Sequence, residues 1–509
     1  MKLDFIQNTK RNVVAGGINQ VLKLIFPFLN RTLFLWLMGP EYLGLNGLFT
    51  SILGVLMLAE LGFGMAVVCS MYKPIAEDDR EQVCAYLCFY RTIYRWVGTA
   101  IFTIGLCLLP FLRKLVHGDL PPDVNLYVLY MLHLINTSAS YFLFAYRGSV
   151  LNAYHRNDVL TNIRTMTLIV QYIAVFLVLI LTRNYYLYVI VTILFTVIQN
   201  LLIMRESRRL FPEIQPRGEL QQEKRRQVLS DVKSIFLHKI GTVISYQIDN
   251  VVLAAFLGLV SVAAYGNYYY VYTAVAGIPA IFYSTMAGGF GNKIHTESKE
   301  KNFELFMLID RMVGIVNIWC AAMMLALYQP FILLWSRNNP ELVQHFLTPV
   351  LMVLYFFINQ SRQVLLTFKA GASLWREDQW KPIAGGVVKL LTCLTFVMIL
   401  PEDYKLDGMI LSSIIGYVFV QIPWESHVVF TLFFDRTQAK VFWRHQAIFL
   451  LTALFLCVST WGIVALIPLN RVPGLLVKGC VAAVFSFGML FALFRKDVLA
   501  IIKKILRRG

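Results

Sequence analysis

Lys23, Arg31, Arg362 and Lys389 each fall inside an apolar run long enough to cross a membrane. A charge there costs about 2.5–3.5 kcal/mol at a helix centre. Lys478 lies near the end of its run, from which a lysine can reach water. In the first run Gly16, Asn19, Lys23, Pro27, Asn30 and Arg31 recur at three- and four-residue steps, which puts them on one helical stripe, with Pro27 placed to kink it. His238, Thr242, Ser245 and Asp249 repeat the pattern, and Asn359, Arg362 and Gln363 add to it. The deep acids Glu60, Asp249 and Glu425 are outnumbered. Cations in excess around a wet cavity suit a phosphate or pyrophosphate, which Arg grips bidentately and Lys meets as a point charge. The substrate-binding candidates are therefore Lys23, Asn30, Arg31, Arg362 and Lys389, with Glu60 and Asp249 as candidates for a coupled H⁺ or Na⁺. The competing reading makes all of them interhelical hydrogen bonds and ion pairs that hold a bundle together.

Other chemistry is sparse. The eight cysteines lie mostly in apolar runs without C-x-x-C spacing and read as buried free thiols, and no H-E-x-x-H occurs. His133 and His427 read as satisfied core histidines. Tyr265, Tyr268, Tyr269, Tyr270 and Tyr272 suit packing or an interfacial belt better than sugar stacking. No metal, cofactor or catalytic set is expected, and the chain does not read as an enzyme.

These residues need a scaffold, and the composition names its class. Of 509 residues, 58% are hydrophobic and 15% charged, against roughly 25% charged in soluble domains. Apolar runs recur from 13–38 to 473–494 and predict an all-α polytopic membrane protein of about fourteen spans. The first run holds Lys23 and Arg31 and lacks an A-x-A-like site, so it reads as a span rather than a removed signal. With both ends in the cytoplasm, the opposite side receives only Arg113, Lys114, Arg183, Arg337, Lys405 and Arg471 of the 46 basic residues. The net charge of +17 is mostly this bias, which needs no nucleic-acid partner.

The polar stretch after the sixth run divides the chain. Residues 1–204 form an expected N-terminal six-helix lobe, 205–235 a basic cytoplasmic linker, 236–434 a C-terminal six-helix lobe, and 435–509 two further helices with a basic tail. A shift of 219 residues lays Asn30 on Asp249, Gly39 on Gly258 and Gly47 on Gly266, and a shift of 216 lays Arg95–Gly98 on Arg311–Gly314. Six-span copies begin and end on one side, so the lobes are parallel repeats, a transporter's plan with the site near mid-membrane.

The stretch Glu60-Leu61-Gly62-Phe63-Gly64 through Tyr72-Lys73-Pro74-Ile75-Ala76-Glu77-Asp78 resembles span 2 and the first cytoplasmic loop of the polysaccharide transporters. These belong to the multidrug/oligosaccharidyl-lipid/polysaccharide exporter superfamily and include Wzx-type flippases. Ile248-Asp249-Asn250, Phe256-Leu257-Gly258-Leu259 and Tyr265-Gly266-Asn267-Tyr268 resemble spans 7 and 8 of that family. The resemblance implies a MATE-like fold in a bacterial cytoplasmic membrane, flipping undecaprenyl-pyrophosphate-linked oligosaccharide alongside other polysaccharide assembly proteins. It also implies pyrophosphate contacts at Lys23, Arg31 and Arg362. The alternatives are a lipid II flippase, a drug/cation antiporter, which should have an acidic cavity, and a membrane glycan polymerase, which should carry a large exterior loop.

Overall fold

In a computed structural model, the described residues are 22–495 except Leu61, Gly62, Asp119, Asn338, Ser373, Trp375, Arg376, Leu469 and Asn470. Among them there is no strand. Gly16 and Asn19, and the side chains of His238, Thr242 and Ser245, lie outside the described set. The chain divides into two compact units, Met1–Val262 and Ala263–Gly509.

In unit 1, α1 (22–37) turns at Gly39 into α2 (Pro40–Leu56), followed by a short 3₁₀ segment, Met57–Glu60, and α3 (Phe63–Ala76). Then come α4 (Arg80–Leu108), α5 (Leu126–Phe142), α6 (Gly148–Ala153), α7 (Asn157–Thr182), α8 (Tyr185–Leu210) and α9 (Gln222–Phe256). Polar side chains start several of these helices by accepting from orphan amides of the first turn: Asp79 from Gln82, Asn125 from Tyr127 and Val128, and Asn184 from Leu187. Between α5 and α6 the chain bends by 45°, and Phe144 at the break takes a left-handed φ of 60°.

In unit 2, α10 (Leu259–Thr296) begins just before the boundary, and α11 (Lys299–Ser336), α12 (Leu347–Ser361), α13 (Gln363–Gly371) and α14 (Lys381–Ile399) follow. Next, α15 (Glu402–Gly416) passes through a π-helical turn, Tyr417–Gln421, into α16 (Ile422–Leu432). The last two are α17 (Arg436–Ala465), opened by a capping box between Asp435 and Gln438, and α18 (Val472–Leu493). Phe306 of α11 anchors the core, meeting Phe368 and Phe430 edge to face at 5.5 and 6.1 Å, with Phe434 and Phe442 alongside. Each such pair adds about 0.5–1.5 kcal/mol beyond burial. α17 packs along much of α11, with Phe442 against Phe306 and Phe449 over Gly314, and Ala326, Val464 and Ala482 let α11, α17 and α18 approach closely, as in lipid, where close backbone approach replaces the hydrophobic drive.

Among the described residues nine helices are long and apolar enough to cross a membrane, and the bent pair Leu126–Phe142 with Ala145–Ala153 makes a tenth. Only 17% of the apolar window of α7 is buried, against 56% of that of α11. Leu177 and Leu181 of α7 accordingly face outward, which a bilayer tolerates and water does not. A count of fourteen requires α1, α2 with α3, α9 and α10 to cross as well.

Two of the glycine pairs matched by the sequence shifts have similar backbone or packing surroundings. Gly39 and Gly258 both adopt a left-handed φ, 109° and 86°, at turns that a side chain would strain. Gly98 and Gly314 both sit under an aromatic residue, Tyr141 of α5 and Phe449 of α17, where a Cβ would collide.

Candidate functional site

In unit 1 the α1 residues meet α7 and α8 through aromatic contacts: Phe26 stacks on Tyr172 at 5.3 Å, and Phe34 meets Tyr185 and Tyr188 edge to face. Asn30 donates its amide to the Tyr188 hydroxyl at 3.0 Å. Its Oδ1 has no hydrogen-bond partner among the described residues, so one acceptor stays open. Lys23 is exposed and Arg31, two helical turns on, is half-buried. Glu60, ending the 3₁₀ segment, accepts from the hydroxyls of both Tyr94 and Tyr141. Asp249 is buried on α9, next to Asn250, which donates to Ser51 of α2 at 2.8 Å. His133 is held by the Tyr185 hydroxyl at 3.3 Å and packs on Phe49.

Unit 2 builds a different arrangement. Arg362, at the break between α12 and α13, grips Glu425 of α16 bidentately, Nε to Oε2 at 3.1 Å and Nη2 to Oε1. Its Nη1 donates to Asn359, and the guanidinium carbon stands 4.7 Å from the centroid of the Tyr417 ring. Lys381, at the start of α14, bridges Glu425 at 2.6 Å and Asp378 at 2.8 Å, and Asp378 also takes Lys369. Lys369, Asp378 and Glu425 are 0% exposed and Arg362 is 7% exposed. Two carboxylates thus answer three cations in a chain of contacts from α12 to α16. Burial would raise the Asp378 carboxyl, but Lys381 and Lys369 outweigh it and hold the group below the usual carboxylate range. The π turn holding Tyr417, whose ring lies against Arg362, comes just before Glu425, and such turns are frequent at functional sites.

Lys389 is buried on α14, its Cβ near the place a Gly416 side chain would occupy. Lys478 is buried too and does not reach water as expected. It shares a buried α18 face with Gly474, Ala482 and Ser486, the face that packs on α11. His427 is exposed, with Thr431 at 3.4 Å, so it is no core histidine. Tyr265, Tyr268 and Tyr272 are buried; Tyr268 donates to Gln329, and Tyr272 accepts from Asn359. Cys69, Cys107 and Cys480 are exposed rather than buried, because the apolar runs holding them turn those positions outward.

Lys369, Asp378 and Lys381 did not stand out in the sequence because the span boundaries put them in a connecting loop. The one available signal was the three-residue spacing of Asp378 and Lys381 across a helix start. Two further buried acids behave alike: Asp407 holds His345 at 2.9 Å and Thr348 at 2.7 Å, and Asp310 holds His445 at 2.9 Å and Gln446 at 2.7 Å. Among the described residues no group of three or more His, Cys, Asp or Glu is placed to hold a metal ion.

A family model described as "Polysaccharide biosynthesis protein" matches residues 9–287, more than half of the chain. No curated protein sequence matches. Among solved structures, one of the lipid II flippase MurJ in an inward closed conformation is 11% identical, with a TM-score of 0.67 over 96% of this chain and 99% of that one. An inward-facing MATE family multidrug transporter of the MOP superfamily is 15% identical, with a TM-score of 0.61 over 83% of this chain and 99% of that one. A MATE transporter in a bent conformation is 14% identical, with a TM-score of 0.54 over 86% and 97%. The fold is of the MATE and MurJ type.

Proposed function

The chain belongs to the polysaccharide biosynthesis protein family, and on that premise we propose that it is a flippase for undecaprenyl-pyrophosphate-linked oligosaccharide, acting by alternating access in a bacterial cytoplasmic membrane. The family match over residues 9–287 of a multi-pass helical chain carries this reading. In it the chain makes fourteen crossings, as two six-helix lobes and two further helices with both termini cytoplasmic, and acts as a transporter rather than an enzyme. The partners are the lipid-linked substrate and other assembly proteins.

The chemistry asked of the chain is a polar route for a charged head group while the isoprenoid tail stays in lipid. Lys23, Asn30 and Arg31 offer an ammonium, an open amide oxygen and a guanidinium within three turns of α1, a donor and acceptor set suited to a diphosphate and the first sugar. Lys389 is a second-unit candidate. Arg362 is a weaker one because Glu425 already satisfies its fork. Outward movement of the diphosphate runs with the membrane potential, worth about 2.3 kcal/mol per charge per 100 mV. Glu60 and Asp249 are the places to seek H⁺ or Na⁺ coupling. The likeness to MurJ favours lipid II as the second substrate to test.

The test is flipping of fluorescent undecaprenyl-pyrophosphate glycans in proteoliposomes. Wild-type protein should move them and Arg31→Ala should not, with Arg31→Lys recovering part because the bidentate geometry is lost. Movement of lipid II alone would replace the reading with the peptidoglycan one, and full transport by Arg31→Ala would remove that residue from the path.

A further inference from the structure

Unit 1 contains a hollow of about 520 Å³, a size ordinary for ligand sites, into which Arg91, Arg95, Arg147, Arg208 and Arg217 converge. They come from four separate stretches: α4, the α5–α6 break, the end of α8 and the segment after it. Among the described residues no Asp or Glu lines the hollow. Glu206 pairs with Arg209, Glu213 with Arg80, and Glu60 takes the hydroxyl of Tyr141, which lines the hollow, together with that of Tyr94. Arg147 is only 2% exposed. Its Nη1 donates to the Ile214 carbonyl at 2.7 Å, which fixes the guanidinium, and its Nε has no hydrogen-bond partner among the described residues. The Nε of Arg91 is likewise unsatisfied.

Guanidiniums gathered without a carboxylate repel one another, and a fixed arginine with an open donor loses a hydrogen bond. One multiply charged oxyanion relieves both. The rim adds a second clue. Phe142, also lining the hollow, is 47% exposed, and Phe144 lines it from the strained left-handed turn at the helix break. The site thus joins a cationic interior to an exposed aromatic edge at the end of α5.

We propose that this hollow binds the phosphate of a lipid headgroup, a diphosphate or a phosphodiester, with the tail leaving over Phe142. The positive-inside distribution puts it at the cytoplasmic face, where anionic headgroups are available. None of Lys23, Asn30, Arg31, Arg362 or Lys389 lines it, so it is separate from the path proposed above and stands whichever glycan is carried.

The experiment measures binding of farnesyl diphosphate, phosphatidylglycerol and inorganic pyrophosphate to the purified full-length protein. It combines native mass spectrometry with thermal-shift titration at fixed ionic strength. Wild-type protein should retain at least one of the two lipids. Arg91→Gln/Arg95→Gln should weaken that lipid about tenfold or more, the scale of a lost charge-assisted hydrogen bond, while Lys224→Gln/Arg226→Gln, equal in charge and outside the hollow, should not. Pyrophosphate bound as tightly as farnesyl diphosphate, and lost in the same variant, would show a free-anion site and overturn the lipid assignment. Equal loss in both double variants, or none in either, would reduce the hollow to general surface charge. Both arginines of the first double variant are at least partly exposed, and the side-chain hydrogen bond of Arg91 among the described residues is a long one to Cys88 at 3.7 Å. A thermal midpoint near the wild-type value is therefore expected, and Arg95→Gln alone repeats the test with a smaller change.

Discussion

Each unit gathers basic side chains into one place, and the two gatherings are built on opposite principles. In unit 2, Arg362, Lys369 and Lys381 are nearly or fully buried, and each touches a carboxylate, Glu425 or Asp378. In unit 1, five arginines face one hollow that no carboxylate lines among the described residues, and three of them, Arg95, Arg208 and Arg217, are exposed. Taking an ion out of water costs several kcal/mol unless a partner comes with it, so the buried set must carry its own counter-ions. The hollow, where only Arg147 is fully buried, can leave that place to a ligand. The number of cations therefore says little about a binding site. What distinguishes the two is whether the counter-charge is built into the chain.

The largest effect should come from removing a built-in counter-charge. Glu425→Gln keeps the shape of the side chain but leaves Arg362 and Lys381 without their shared carboxylate, and breaking a buried pair costs about 3–5 kcal/mol. The folded fraction in detergent, followed by size-exclusion chromatography, should collapse. Restoration by Arg362→Met in the same background would show that the pair, and not the site, was needed. Normal folding of Glu425→Gln alone would mean that water reaches the network and that the two units do not differ in kind.

Asp378→Asn should cost less, about 1.5–3 kcal/mol, because it loses one contact to each of Lys369 and Lys381, whereas Glu425 also holds the two-pronged fork of Arg362. Its signature is the pH dependence. The Asp378 carboxyl is held below the ordinary range, so its contribution is fully present above the unfolded value of about 3.9 and is lost as pH falls through the folded one. Thermal midpoints between pH 6 and pH 3 should fall more steeply for wild-type protein than for the variant. Parallel curves would place Asp378 outside the network.

The sequence made some of these features legible and hid others for identifiable reasons. Apolar runs and charge asymmetry are local, and they yield the helical membrane class. Gly39 and Gly258 announced equivalent turns because a left-handed φ admits few other residues. The pairing of Arg362 was half visible: a paired acid or a wet cavity was required, but Glu425 lies 63 residues away and nothing local joins them. The bend at Phe144 and the π turn at Tyr417 carry no Gly or Pro within them, so they are set by packing rather than by residue type. Lys478 was misjudged because its position along the span suggested water, whereas the face it occupies packs on α11. The hollow of unit 1 was invisible because its arginines come from four stretches, each of which reads separately as ordinary cytoplasmic charge.

The smallest expected effect tests the comparison from the other side. Arg217→Gln removes one exposed cation from a hollow that no carboxylate lines among the described residues. In unit 2 a lost cation takes one of two partners from a buried acid, but here it relieves repulsion among the four arginines that remain. The thermal midpoint in low salt should therefore stay the same or rise, by no more than about 0.5 kcal/mol in stability terms. Because Arg217 is exposed, the gain should fade as salt approaches physiological strength, where screening acts over about 8 Å. Lys369→Met is the matched change in unit 2, and it should destabilise at every salt concentration because Asp378 is fully buried. Equal, salt-independent losses in both variants would mean that the arginines of the hollow have carboxylate partners of their own, and the two units would then follow one rule.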